Sequence, residues 1–345
     1  MYKEIRYEEI DENKITGSYV IIDVRSPSEY REETIPGAIN IPIFTDEERV
    51  IIGTTYIQES IEKAKRIGIE AASKRLPQIY DEVSELDKKY DNLIFFCSRG
   101  GFRSKSIVSL FKSIGINAIR LDGGYKGYRR FINDNLPKII EDVKFVVLYG
   151  NTGTGKTEIL KALRSMGKDI LDLEGCANHR GSLLGGVGLG TSHTQKMFES
   201  LVYESLRNRK SNFIFTEGES KRIGRVIIPD NLYSAIKSGI NIKIDADMNI
   251  RTENILKDYV HGTDEDIIEA LNFLKKHMGE NNINRFIELV GKHDYSQVIE
   301  ELMIKYYDPL YEFKNREYLA SFNNTNSQKS AEMIVDFIDN EITGM

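Results

Sequence analysis

Short apolar runs alternate with longer amphipathic stretches along the chain. Tyr19 to Val24 and Leu93 to Phe96 are runs of strand length rich in β-branched and aromatic residues, and Ala118 to Leu121 reads as a further short strand. Residues 58–90 carry helical spacing with many Glu and Lys, and Ser104 to Ile114 is an amphipathic helix ended by Gly115. The alternation resumes with Phe145 to Tyr149, Asp169 to Leu173, Phe213 to Thr216 and Ile240 to Ile244, and beyond residue 250 the pattern is mostly helical. Strands alternating with helices predict parallel sheets covered by helices, an α/β fold in both halves.

A length of 345 residues favours two domains. The strongest punctuation is Leu136-Pro137 followed by a charged turn, which predicts domains at 1–138 and 139–345, the second with a helical C-terminal region. Hydrophobic residues at 40% and charged residues at 29% exclude wholesale disorder. No apolar run approaches the ~20 residues that span a bilayer, so no membrane association is expected. The start, Met-Tyr-Lys-Glu-Ile-Arg, has no apolar stretch behind it and predicts no signal peptide. Two cysteines, Cys97 and Cys176, cannot build a disulfide framework and point to a reducing, cytoplasmic setting. The oligomeric state is not legible.

The segment Cys97-Ser-Arg99-Gly100-Gly101-Phe-Arg103-Ser104 follows a strand and opens a helix. A helix N-terminus offers unpaired N–H groups and the positive end of a dipole, which stabilise an anion. A thiol there, between Arg99 and Arg103, is expected to be biased toward thiolate, with Gly100 and Gly101 letting the backbone curl around it. That suits a nucleophilic sulfur carrying a transferable chalcogen. Residues 1–135 resemble a rhodanese domain. The match runs through Asp23-Val-Arg25, Glu29-Tyr30, the string Ile35 to Pro42, the Cys97 loop and Leu121-Asp-Gly-Gly124. Thr34 departs from it, standing where many rhodaneses carry His, and the segment from about Asp46 to Lys89 is longer than a minimal rhodanese needs. Asp23 and Arg25 are expected to brace the loop rather than react.

Gly150-Asn151-Thr152-Gly153-Thr154-Gly155-Lys156-Thr157 fits G-x-x-x-x-G-K-[ST] between an apolar run and a helical one. In that context the loop amides and Lys156 cradle phosphate oxygens, and Thr157 becomes a Mg2+ ligand if a metal accompanies the phosphate. Phe213-Ile-Phe-Thr-Glu217-Gly-Glu219 resembles the second motif of P-loop proteins with Glu in place of Asp, which weakens a simple ATPase reading. Arg222 follows it as a candidate phosphate partner. Between the motifs lie Glu174-Gly-Cys-Ala-Asn-His179-Arg180-Gly-Ser182 and four further glycines, with His179 and Arg180 as candidates for gripping an anion. Cys176 and His179 have no second pair at ligand spacing among His193, His261, His277 and His293, so no metal centre is expected there. Cys176 reads as a packed thiol.

The order of these motifs, with the 174–182 string between the two P-loop elements, is similar to that of the tRNA 2-selenouridine synthase family. The resemblance spans nearly the whole chain and is weakest beyond about residue 250. It implies action on a tRNA wobble uridine already thiolated at C2. Geranyl diphosphate alkylates the sulfur, and selenium from selenophosphate then replaces it. It implies no tightly bound cofactor: Lys156 and its loop would hold the diphosphate, while Cys97, with Arg99 and Arg103, would handle selenium. Two other readings stay open: a rhodanese-type sulfurtransferase with an accessory nucleotide-binding domain, or a nucleotide-gated redox-sensing module.

The formal charge of −6 argues against a protein coated in nucleic-acid-binding charge. Residues 1–140 hold 22 basic and 22 acidic side chains, so the whole deficit lies in the second part. An RNA surface must then be a local patch. The candidates are Lys126, Arg129 and Arg130; Arg207, Arg209 and Lys210; and Lys275 with Lys276, with Tyr125 and Tyr128 for base stacking.

Overall fold

The run Asn-Leu-Ile-Phe-Phe of residues 92–96 is buried along its whole length, as a strand covered on both faces requires. The structure, a computed structural model, describes residues 3–181, 185–186, 188–259, 264–310 and 316–341. It divides into two units, Met1–Leu136 and Pro137–Met345.

The first unit holds strands β1 (Glu4–Ile5), β2 (Tyr19–Asp23), β3 (Ile39–Asn40), β4 (Asn92–Phe96) and β5 (Ala118–Leu121). They form one parallel sheet in the order β1-β5-β4-β2-β3. Val20 and Ile22 of β2 and Phe95 of β4 share a core with Val83, Val108 and Phe111 from flanking helices. The pairing of Asp23 with Phe96 brings the C-terminal ends of β2 and β4 to the same edge, where ligands of parallel sheets bind. The long segment between β3 and β4 forms two helices, Asp46–Gln58 and Ile61–Asp87. Thr45 and Ser60 cap them, accepting from the Glu48 and Lys63 amides.

The second unit holds β6 (Lys144–Tyr149), β7 (Ile170–Leu171), β8 (Phe213–Glu217), β9 (Arg222–Ile223), β10 (Val226–Ile227), β11 (Ile240–Asp245) and β12 (Ala320–Asn323). Five of them form a parallel sheet in the order β12-β11-β6-β8-β7, while β9 and β10 pair separately and antiparallel. Central β6 delivers the phosphate loop from its C-terminal end, and β8 brings Glu217 opposite Leu148, two residues short of Gly150. Helices Asp264–Phe273, Glu280–Gly291 and Tyr295–Leu302 enclose an apolar cluster of their own around Leu271, Phe286 and Leu302.

Both units are α/β, as the alternation predicts. Three details differ from it. Pro137 does not break the chain but lies inside the helix Gly124–Glu141. A proline removes one helical N–H donor without ending a helix whose apolar stripe is buried on both sides of it, here by Ile132, Leu136 and Ile140. The two-residue strands β1 and β3 are too short to leave a periodic signal. Ala320-Ser-Phe-Asn, in the region read as helical, is an edge strand with alternating exposure.

Candidate functional site

In the first unit the Cys97 loop runs from the end of β4 to the helix Phe102–Ser113, whose N-cap is Gly101. Its carbonyls are held from outside. Cys97 O accepts from Tyr125 N at 2.9 Å, Ser98 O from Lys126 N at 2.9 Å, and Gly100 O from the Arg120 guanidinium. Gly100 sits at φ +64°, a left-handed conformation that favours glycine. Gly124 packs so closely that an added Cβ would lie 2.2 Å from Cys97 O. Gly124→Ala is therefore expected to displace the loop and to lower stability by about 1–3 kcal/mol. Urea unfolding checks this, and an unchanged midpoint would refute the close packing.

Cys97 is 3% exposed. Its sulfur lies 3.2 Å from Ser104 Oγ and 4.0 Å from Gly101 O. Arg103 does not stand as an uncompensated cation beside it, because its guanidinium forms a two-point pair with Glu29 at 2.6 and 3.2 Å. Arg99 is exposed. Asp23 and Arg25 form a buried ion pair at 2.7 Å. Arg25 also donates to Glu33 O at 2.6 Å, and Asn40 donates to the carbonyls of both Asp23 and Arg25. Thr34 donates to Asp23 Oδ2 at 3.0 Å, filling the place of the absent histidine with a bond to the brace.

In the second unit the same device shapes the phosphate loop. Arg251 Nε donates to Thr152 O at 2.9 Å, Asn254 to Gly153 O at 2.9 Å and Asn324 to Thr154 O at 2.8 Å. In a planar trans peptide the next N–H points the opposite way, so the amides of Gly153 and Gly155 turn to the other side of the loop. Both glycines have positive φ, +82° and +85°. Lys156 Nζ spans the loop, donating to Gly150 O at 2.8 Å and Asn151 O at 3.3 Å. Arg251 is itself fixed by a two-point pair with Asp308. Sequence patterning does not single out Arg251, Asn254, Asn324 or Asp308, since each is an ordinary polar residue far along the chain from the loop it serves.

A cavity of about 320 Å³ opens beside this loop, in the size range of small-molecule sites. Of the residues singled out in the sequence, Thr152, Gly153, Gly155, Lys156, Thr157, His179, Arg180, Glu217 and Glu219 line it, and Asp172 and Glu174 line it in addition. Arg222 is not among the lining residues; it is exposed and donates to Gly224 O at 3.1 Å. Ser182 and His261 lie outside the described residues.

The cavity concentrates carboxylates. Thr157 Oγ1 donates to Glu174 Oε2 at 3.3 Å, and the Glu174 amide donates to Glu217 Oε1 at 2.8 Å. Burial, reinforced by the Glu219 and Asp172 charges, pushes the Glu174 carboxyl up to about 8. Burial also raises Glu217, with Asp172 and Glu174 adding to it, and burial raises Glu219. His179 is shifted the other way, held neutral by burial and by Arg180. Burial pushes the Cys176 thiol up, as a packed, unreactive sulfur requires. Among the described residues no group of three or more His, Cys, Asp or Glu side chains is arranged to hold a metal ion.

Carboxyls raised by burial bind more protons folded than unfolded between their ordinary pKa and about 8, so stability falls as pH rises through that window. Glu217→Gln is expected to flatten this dependence. Thermal unfolding from pH 6 to 8.5 should show a smaller fall in Tm than in the native chain. Parallel curves would mean that these carboxyls do not set the dependence.

The stacking residues proposed for RNA are not available. Tyr125 and Tyr128 are buried on the core face of the helix Gly124–Glu141, Tyr128 at 1% exposure and edge-on to Tyr7 at 4.6 Å. Tyr125 lies under the Arg25 guanidinium at 4.4 Å. Arg129 is buried too and donates to Asn133. On an amphipathic helix, positions 125, 128 and 129 share one face and 126 and 130 another, so only Lys126 and Arg130 of that group are exposed. Lys210 and Lys276 are exposed as well. No helix among the described residues is long and apolar enough to cross a membrane.

Comparison with known proteins matches residues 143–343 to the family described as the tRNA 2-selenouridine synthase AAA domain, and residues 7–131 to the rhodanese-like domain. A tRNA 2-selenouridine synthase of Nitrosomonas eutropha is 34% identical over 267 residues, which is 74% of this chain and 67% of that protein. One of Pseudomonas syringae pv. syringae is 31% identical over 335 residues, covering 87% of this chain and 89% of the relative. With a sulfur loop of rhodanese type in one unit and a phosphate loop in the other, the chain belongs to the tRNA 2-selenouridine synthase family.

Proposed function

We propose that the protein modifies the wobble uridine of tRNA, converting 2-thiouridine to 2-selenouridine in two stages. In the first, the phosphate-loop unit holds geranyl diphosphate through the loop amides and Lys156, and the C2 sulfur of the base is alkylated. Fixed N–H donors and an ammonium stabilise the leaving diphosphate without reorganisation. Thr157 would hold a Mg2+ through its hydroxyl if one accompanied the diphosphate, and such an ion would offset the charge of the leaving group. In the second stage the alkylated sulfur leaves C2 and selenium from selenophosphate takes its place, with Cys97 handling the selenium.

The observation that carries this reading is the pairing, in one chain, of a loop-held cysteine with a phosphate loop whose cavity also holds carboxyls of raised pKa. Selenium handling and diphosphate departure need two such different sites. Nucleoside analysis of thiolated tRNA incubated with the protein and geranyl diphosphate, then with selenophosphate, tests it. S-geranyl-2-thiouridine is expected first and 2-selenouridine second. Thiosulfate:cyanide sulfur transfer with neither nucleoside formed would favour a simple sulfurtransferase instead.

A further inference from the structure

On the function proposed above, the wobble base has to reach Cys97, whose sulfur is buried. A base meets such a sulfur only when it is unstacked from its neighbours and held against the loop. Single-stranded RNA is held in that way on aromatic side chains flanked by cations. With Tyr125 and Tyr128 packed in the core, a platform of this kind has to come from elsewhere.

Phe102 opens the helix behind the Cys97 loop, directly after Gly101, whose carbonyl oxygen lies 4.0 Å from the Cys97 sulfur. It is 64% exposed. Lys65 Nζ stands 5.4 Å from the centre of its ring. Lys65 belongs to the helix Ile61–Asp87, part of the segment that exceeds a minimal rhodanese. Ile61 and Ile69, four residues before and after it and so on the same helical face, are 42% and 70% exposed. A lone exposed apolar side chain is ordinary, but three beside one lysine at the edge of a reactive loop form a patch.

Positive charge gathers on the same two helices. Residues 61–76 and 99–112 hold nine basic and two acidic side chains, while residues 1–140 as a whole hold 22 of each. Ala71 and Val83 of one helix share an apolar cluster with Val108 and Phe111 of the other, and Lys65 reaches Phe102 between them, so their outer faces adjoin. Lys65, Lys74, Arg99, Lys105 and Lys112 are all exposed. A local excess of this kind, in a unit of zero net charge, attracts a polyanion. Its place next to the Cys97 loop favours RNA over an anionic lipid surface, since only the RNA carries an atom for that sulfur to act on.

We propose that this patch binds the anticodon loop of the substrate tRNA. A nucleobase of the loop stacks on Phe102, and Lys65 and Arg99 meet the phosphates beside it. Stacking tolerates different bases, which suits a nucleotide that arrives as an S-alkyl thiouridine and leaves as a selenouridine. The helix Ile61–Asp87 then has a use beyond covering the sheet: it supplies the cation at the ring and the apolar residues around it.

The test measures equilibrium binding of tRNA carrying S-geranyl-2-thiouridine to the full chain, from about 50 to about 200 mM salt, with the urea unfolding midpoint of each variant. Phe102→Ala should weaken binding roughly 5- to 150-fold and leave the salt slope unchanged, while Phe102→Tyr should bind within about threefold of the native chain. Lys65→Ala should flatten the slope of log affinity against log salt by about 0.7–1. The midpoints should stay in place, because both side chains are exposed. Native affinity in Phe102→Ala, or a loss as deep in Phe102→Tyr, would overturn the stacking contact. A native salt slope in Lys65→Ala would overturn the phosphate contact. A midpoint that fell together with affinity would make the patch structural and overturn both. Phosphatidylglycerol vesicles are the competing polyanion: vesicle binding lost in Phe102→Ala with tRNA affinity kept would assign the face to lipid and overturn the proposal. If the native chain bound no tRNA, the proposed function itself would fall, a result distinct from native binding that the variants leave untouched.

Discussion

Lys156→Ala should abolish geranyl transfer while leaving the chain folded. In the proposed reaction the barrier lies in separating an allylic carbon from a diphosphate whose charge grows as the bond breaks. The groups that can meet that charge are the amides on the inner side of the loop and the Lys156 ammonium, which lies within reach of Gly150 O and Asn151 O and lines the cavity. Removing one fixed donor at a developing anion costs roughly 10²–10³-fold, and a full cation at this position is expected to cost at least that. Lys156→Arg should not rescue it, since a planar fork is longer and broader than an ammonium seated across a loop this tight. The loop itself should survive, because its carbonyls are held by Arg251, Asn254 and Asn324 rather than by the lysine alone. Nucleoside analysis decides the matter. Retained geranylation with lost selenation in Lys156→Ala would assign the loop to selenophosphate.

How far such sites can be read in a sequence depends on whether their parts are local. The phosphate loop and the Cys97 loop are contiguous strings between a strand and a helix, so spacing alone reveals them. The braces are not local. Arg251, Asn254 and Asn324 act on the phosphate loop across separations of 99, 101 and 170 residues, and nothing in their surroundings marks them. Glu174 could have been noticed within the 174–182 string. Its approach to the same spot as Glu219 could not, because both carboxyls meet beside Gly181 only once the chain has folded. The tyrosines failed for the opposite reason. Tyr125 and Tyr128 stand beside basic residues in sequence, but a helical period of 3.6 carries them to the core and the exposed lysine and arginine away from it.

Both loops solve one problem in the same way. An anion cradle needs N–H groups turned inward, and a peptide presents its N–H and C=O on opposite sides. Donors outside the loop that capture its carbonyls therefore orient the amides as well. Around Cys97 the donors are the backbone of Tyr125 and Lys126 with Arg120; around Lys156 they are side chains brought in by later helices and an edge strand. The first set is rigid because backbone meets backbone. The second is carried by Arg251, which depends on Asp308 beside the helical region.

That rigidity bears on the second large effect, the loss of selenation in Cys97→Ser. Serine keeps the size and the hydrogen bond to Ser104 Oγ, so the loop, held through main-chain carbonyls, should keep its shape. What disappears is a polarisable sulfur, the one group in the loop able to bind selenium or steer selenide. Where a residue acts as the covalent centre of a site, its removal costs orders of magnitude even with the surroundings intact, on the order of 10³-fold or more. The sensitive measurement starts from tRNA already carrying S-geranyl-2-thiouridine and follows 2-selenouridine formation with selenophosphate, so that the step at the phosphate loop is bypassed. Geranylation by the same preparation serves as the control for folding. Ser104→Ala separates the two ways in which Cys97 could act. If the sulfur binds selenium covalently, loss of one hydrogen bond at 3.2 Å should slow selenation by less than about tenfold, the equivalent of roughly 1 kcal/mol. A loss as deep as that of Cys97→Ser would instead assign the chemistry to the Cys97–Ser104 pair. Selenation at the native rate in Cys97→Ser would remove the cysteine from the reaction altogether.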